Sequence, residues 1–159
     1  MPGYSLTIES SGLDVRRLYE WCTDFRDDDA RMLEREQGVD ASMIMERKVT
    51  REPGRVRMEM PIRLAGGVTD TLVEIDLHPE QSAYVADIRF GEAYRQICTY
   101  FFAPRAGGAL VHILAYVERG GESGDRLAAS GDFVADLREG MRKLMTAYVR
   151  QAERELGGK

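Results

Sequence analysis

From Asp132 to Leu156 the apolar residues Phe133, Leu137, Met141, Leu144, Met145, Tyr148, Ala152 and Leu156 recur in steps of three and four, which puts them on one face of an α-helix. Asp136, Arg138, Glu139, Arg142, Lys143, Arg150 and Arg154 fall on the other side, and Glu139 precedes Lys143 in the favourable order for a surface pair. A helix of that length is a rod of roughly 37 Å, long enough to cross a small domain. Gly157-Gly158 ends it. Leu137 and Leu144 are expected to be among its most buried residues.

Elsewhere the pattern is mostly of period two. Tyr4, Leu6 and Ile8 alternate with Ser5, Thr7 and Glu9, as in a half-buried strand. Asp14 is placed to cap a short helix running through Cys22, and a second short helix fits Asp27 to Arg35, with aspartates in its first turn. From Ser42 onward six strands fit between turn signals, among them Arg55–Leu64, Thr69–Leu77, Ala83–Phe90, Tyr94–Ala103 and Ala109–Glu118. Pro61 has no N–H to give a ladder, so its strand is an edge or is bulged there. Tyr94–Ala103 and Ala109–Glu118 are substantial on both faces, which fits either central strands covered on both sides or strands whose one face lines a cavity. Arg119–Gly131, rich in Gly and Ser, is the one long connection. The fold class is therefore α+β: a curved antiparallel sheet of about seven strands, two short helices and a long C-terminal helix across it.

Composition narrows the picture. A chain of 159 residues fits a single domain, residues 1–159, and 43% hydrophobic residues supply a sizeable core. A net charge of −5 argues against general nucleic-acid binding. No apolar run reaches membrane-span length and no signal peptide is evident, so a cytoplasmic location is expected, with no transmembrane segment. Cys22 and Cys98 lack the spacing of a disulfide framework or zinc site. No P-loop, Rossmann, nucleophile-elbow or HExxH motif is present, and no cofactor or metal is expected.

The order of elements is similar to the helix-grip fold of the Bet v 1-like or START-like (SRPBCC) superfamily, which includes polyketide cyclases, aromatase/cyclases and lipid-transfer proteins. Two stretches carry the resemblance further. Val15-Arg16-Arg17-Leu18-Tyr19-Glu20-Trp21-Cys22-Thr23-Asp24-Phe25 resembles the family's first helix, and Tyr100-Phe101-Phe102-Ala103-Pro104-Arg105-Ala106-Gly107-Gly108 its penultimate hairpin. The resemblance implies a deep, mostly apolar cavity between sheet and long helix.

For that cavity the chain offers Met58, Met60 and Met45 from strands and Met141 and Met145 from the helix, all flexible, polarizable side chains. Ile88 joins them by strand alternation. Tyr94, Gln96 and Tyr100 share one strand face, so their polar tips converge on a bound carbonyl or hydroxyl if that face is inward, and meet solvent if Ile97 and Phe101 are inward instead. The expected ligand-binding set is thus Met58, Met60, Ile88, Tyr94, Gln96, Tyr100, Met141 and Met145. Gly140, in mid-helix, points to room for a ligand or a close strand. Catalytic candidates are Tyr94, Gln96, Tyr100 and His112, the last a strand histidine that also reads as an ordinary hydrogen-bonded residue. Arg47 is placed either to receive a carboxylate or phosphate or to form a strand-end ion pair. Trp21 and Phe25 read as anchors of the short helices to the sheet. Three functions remain: binding of a hydrophobic small molecule, lipid-like or aromatic; a polyketide cyclase or dehydratase; and a partner-binding module of the chaperone-activator kind. A homodimer is compatible with each.

Overall fold

The computed structural model describes residues 2–25, 47–64, 67–121 and 133–157, with side chains left aside at 62–64 and 67. Seven antiparallel strands form one sheet: β1 (Gly3–Ser11), β2 (Lys48–Glu52), β3 (Arg55–Leu64), β4 (Gly67–His78), β5 (Ala83–Phe90), β6 (Tyr94–Arg105) and β7 (Gly108–Arg119), in the spatial order β1-β7-β6-β5-β4-β3-β2. Among the described residues two α-helices accompany it, α1 (Val15–Cys22) between β1 and β2 and α2 (Phe133–Leu156) after β7, with one 3-10 turn at Pro79–Gln81. This is the α+β helix-grip architecture. The second short helix expected over Asp27–Arg35, and Met45, lie outside the described residues.

Local chemistry sets the boundaries. The Asp14 carboxylate accepts from the Arg17 amide and caps α1. Gly54 and Gly107 take positive φ in the β2–β3 and β6–β7 hairpin turns, where a side chain would be strained. Pro61 sits beyond the end of the β2 ladder, whose last pair is Lys48 with Glu59, so β3 is locally an edge among the described residues. Strand alternation then sorts the sheet into two faces. Leu6, Ile8, Val56, Met58, Val73, Ile75, Tyr84, Ala86, Cys98, Tyr100, Val111 and Ile113 are buried on the concave side.

The described elements leave the convex side uncovered. It carries ion pairs such as Arg55–Asp76 between β3 and β4 and Arg95–Asp87 between β6 and β5, while Phe101 and Leu114 on β6 and β7 remain 42% and 54% exposed. The double-sided apolar pattern of β6 and β7 therefore does not reflect cover on both faces.

Helix α2 crosses the concave face and packs along β1, whose free edge it also closes. The Arg138 Nε donates to the Ser5 carbonyl and the Ser11 amide to Glu153 Oε1, so edge groups that would otherwise template another strand are occupied. Its C-terminal half is fully seated, with Val149 and Ala152 in the core beside Leu18 of α1. There the Trp21 ring meets Tyr148 edge-on and its Nε1 donates to Glu155 at 2.7 Å. Trp21 thus ties α1 to the long helix, not to the sheet. Leu137 and Leu144, expected to be deeply buried, are only half-buried. Both border a cavity.

Candidate functional site

Between the concave face and the N-terminal half of α2 lies a cavity of about 370 Å³, within the roughly 300–1,000 Å³ typical of small-molecule sites. The sheet lines it with Met58, Met60, Val73 and Ile75 from β3 and β4, Tyr84, Ala86, Ile88 and Phe90 from β5, and Tyr94, Gln96 and Tyr100 from β6. Helix α2 roofs it with Leu137, Gly140, Met141, Leu144, Met145 and Tyr148, and Cys22 and Phe25 close the α1 end. Arg47 and Asp136 are the charged side chains on its wall among the described residues.

All eight residues expected to contact a ligand meet on this one wall. Strand alternation does this on β3, β5 and β6, and the three- and four-residue steps of α2 bring Met141 and Met145 over them. The face carrying Tyr94, Gln96 and Tyr100 is the inward one, while Phe101 points outward. His112 is not among them. It occupies the convex face, its Nδ1 3.0 Å from Thr7 Oγ1, with the sheet between it and the cavity. Gly140 is explained by room and not by a close strand: a Cβ there would meet nothing within 4 Å.

Aromatic rings close both ends. Near α1, Tyr84 stacks on Tyr100 with centroids 4.2 Å apart, and Phe25 meets Tyr84 edge-on at 5.9 Å. Six residues further along β5, about 20 Å at strand rise, Phe90 stacks on Tyr94 at 4.3 Å and Phe133 meets Tyr94 edge-on at 5.2 Å. Offset and edge-on pairs of this kind are the favoured ring geometries. Phe25 is held in place from below, since Arg51 of β2 donates to the carbonyls of Asp24 and Phe25.

Apart from Arg47 and Asp136, the polar groups of the wall are few and neutral. The Tyr100 hydroxyl donates to Met141 Sδ at 3.6 Å, and Gln96, 4% exposed, accepts from the Tyr4 hydroxyl at 2.7 Å. Arg47 Nη2 donates to Met58 Sδ at 2.9 Å. Burial pushes the phenols of Tyr84 and Tyr100 well above the ordinary tyrosine range and Tyr94 up to about 12. At neutral pH these groups are hydrogen-bond donors and not bases.

Sequence reasoning missed Cys22, Phe25, Tyr84, Phe90 and Tyr148 as wall residues. For Tyr84 and Phe90 the signal was present, because Ile88 shares their strand face. For Phe25 none was, since its position depends on a positive φ after α1 and on Arg51.

No protein-family model matches the chain, and no curated protein matches it in sequence. Solved structures match its fold over nearly its whole length. The protein TTHA0849 from Thermus thermophilus superposes with a TM-score of 0.73 at 16% identity, covering 98% of this chain and 99% of that one. The ZhuI aromatase/cyclase from Streptomyces sp. R1128 gives 0.70 at 11% identity, covering 98% and 95%. A START superfamily protein from Mycobacterium smegmatis gives 0.64 at 12% identity, covering 94% and 97%. The chain has the START-like, Bet v 1-like fold that its sequence resembles. Among the described residues no helix is long and apolar enough to cross a membrane.

Proposed function

We propose that the protein binds a hydrophobic small molecule, with aromatic or lipid-like character, in the cavity between the sheet and α2. The observation that carries this reading is the cavity itself: about 370 Å³ of unfilled space walled by methionines, aliphatic side chains and two stacked ring pairs. Packed interiors rarely leave voids much larger than a water molecule, so a core that stops short of filling this space is built for an occupant. Paired methionines above and below adapt to an irregular apolar shape, and the rings offer flat surfaces at both ends.

A second reading, a cyclase or dehydratase of the polyketide type, is favoured by one feature, the row of Tyr94, Gln96 and Tyr100 facing the cavity. One of the structures similar to this chain is an aromatase/cyclase. Donors in that row would polarise a ketone, but the raised phenol pKa values leave the row without a base. Binding is the function the wall supports best.

The test is mass spectrometry of small molecules extracted from natively purified protein. An apolar compound retained at about one per chain is expected, and its incubation as the only reactant separates carriage from turnover. Protein that retains nothing, and takes up no apolar dye, would contradict the reading.

A further inference from the structure

Gln96 is a buried amide with one end fixed. Its Oε1 accepts from the Tyr4 hydroxyl at 2.7 Å and from the Cys98 thiol at 3.8 Å. Both neighbours have a proton to give, and burial pushes the Cys98 thiol up to about 11, so it stays protonated. With the oxygen end shared by two donors, the Nε2 end finds no protein acceptor among the described residues, and Gln96 is a residue of the cavity wall.

Tyr4 reaches Gln96 from two strands away. The pairing places Tyr4 opposite Ala115 of β7, and Ala115 opposite Cys98 of β6. Two small side chains on the concave face thus leave a lane of roughly 10 Å, two strand spacings, across which the phenol extends. Tyr4 itself is not on the cavity wall, so its hydroxyl acts on a ligand only through Gln96.

We propose that Tyr4 is a positioning residue that locks the Gln96 amide with its N–H groups toward the cavity, making the site selective for apolar ligands that carry a carbonyl-type acceptor at that depth. The proposal rests on the binding function above and specifies the ligand's chemistry. A buried N–H left without an acceptor is costly, so a ligand lacking one is disfavoured. Without the Tyr4 hydroxyl only the weak Cys98 S–H holds the oxygen end, so the amide rotates more freely and either end meets the ligand.

The experiment uses a matched pair, 2-acetylnaphthalene and 2-ethylnaphthalene, which differ by a carbonyl in place of a methylene. Each competes with the neutral fluorophore N-phenyl-1-naphthylamine for the native protein. The wild type should bind the ketone roughly tenfold more tightly than the hydrocarbon, the size of one well-made hydrogen bond. In Gln96→Leu the preference should fall to about twofold or less because 2-ethylnaphthalene, no longer facing an unpaired N–H, binds more tightly, and in Tyr4→Phe, off the cavity wall, it should fall to about twofold or less while affinity for 2-ethylnaphthalene holds. A merely structural role for Tyr4 would move both affinities together. In the unaltered protein, the Gln96 side-chain amide resonances, assigned by their loss in Gln96→Leu, should shift on adding the ketone and not the hydrocarbon. Preference retained in Tyr4→Phe would overturn the positioning role. Absence of preference in the wild type, with both compounds displacing the fluorophore, would overturn the acceptor selectivity and leave the binding function standing. Failure of the fluorophore and both compounds to bind would overturn both.

Discussion

The two halves of α2 share one amphipathic pattern and meet opposite surroundings. In the C-terminal half Val149 and Ala152 are wholly buried, packed in the same core as Leu18. In the N-terminal half Leu137 and Leu144, equally apolar and equally on the stripe, are half-buried over open space. An apolar stripe therefore says which way a helix faces, but not whether protein or ligand fills the space it faces. One helix serves as an anchor at one end and as the roof of a cavity at the other.

The comparison is broken most severely by alkali if the cavity is not closed. Tyr84 and Tyr100, raised by burial, and Tyr94, pushed up to about 12, line the wall facing the N-terminal half. Their folded pKa values exceed those of the unfolded chain, near 10, so the unfolded state loses its protons first. Stability is fully present below about pH 10 and should fall steeply as pH rises from 10 toward 12. Denaturant midpoints measured at each pH check this, and a midpoint unchanged up to pH 11 would mean that water already bathes these phenols.

Next in size is the anchor. Leu18→Ala empties a fully buried site in the packed end and should cost roughly 2–5 kcal/mol in denaturant unfolding. Leu144→Ala, over the cavity, loses only part of its burial and leaves no new void, so about 1 kcal/mol is expected. Equal losses in the two variants would erase the distinction between the halves. The smallest effect has the opposite sign. Gly140→Ala adds a methyl into open space at a mid-helix position and should stabilise the domain by about 0.5–1 kcal/mol.

Much of this was legible in advance, and the reason lies in periodicity. The change from period two to steps of three and four located the strands and the long helix, and the same alternation put Met58, Met60, Ile88, Tyr94, Gln96 and Tyr100 on faces that the sheet turns inward. Which face turns inward on β6 was not decidable from its residues, since Ile97 and Phe101 are as apolar as the other side. Curvature decides it, and curvature belongs to the whole sheet. His112 carried two readings, catalytic candidate and ordinary hydrogen-bonded strand residue, for the same reason: β7 is apolar on both faces, and it is Ala109, Val111, Ile113, Ala115 and Val117 that are buried in the core while His112 pairs with Thr7 on the other side. The depth of Leu137 and Leu144 was not legible, because the stripe is equally apolar over core and over cavity; Gly140 between them was the one sign of room.

The central claim is that the N-terminal half of α2 roofs a site meant to be occupied, and it is tested most directly by titrating N-phenyl-1-naphthylamine into the wild type and Gly140→Leu. The new side chain projects into the cavity from a position where nothing lies within 4 Å of a Cβ. The account predicts one bound fluorophore per wild-type chain, and at least roughly tenfold weaker binding in Gly140→Leu with an unfolding midpoint no lower than that of the wild type. Equal affinity in the two proteins, with the variant fully folded, would contradict it.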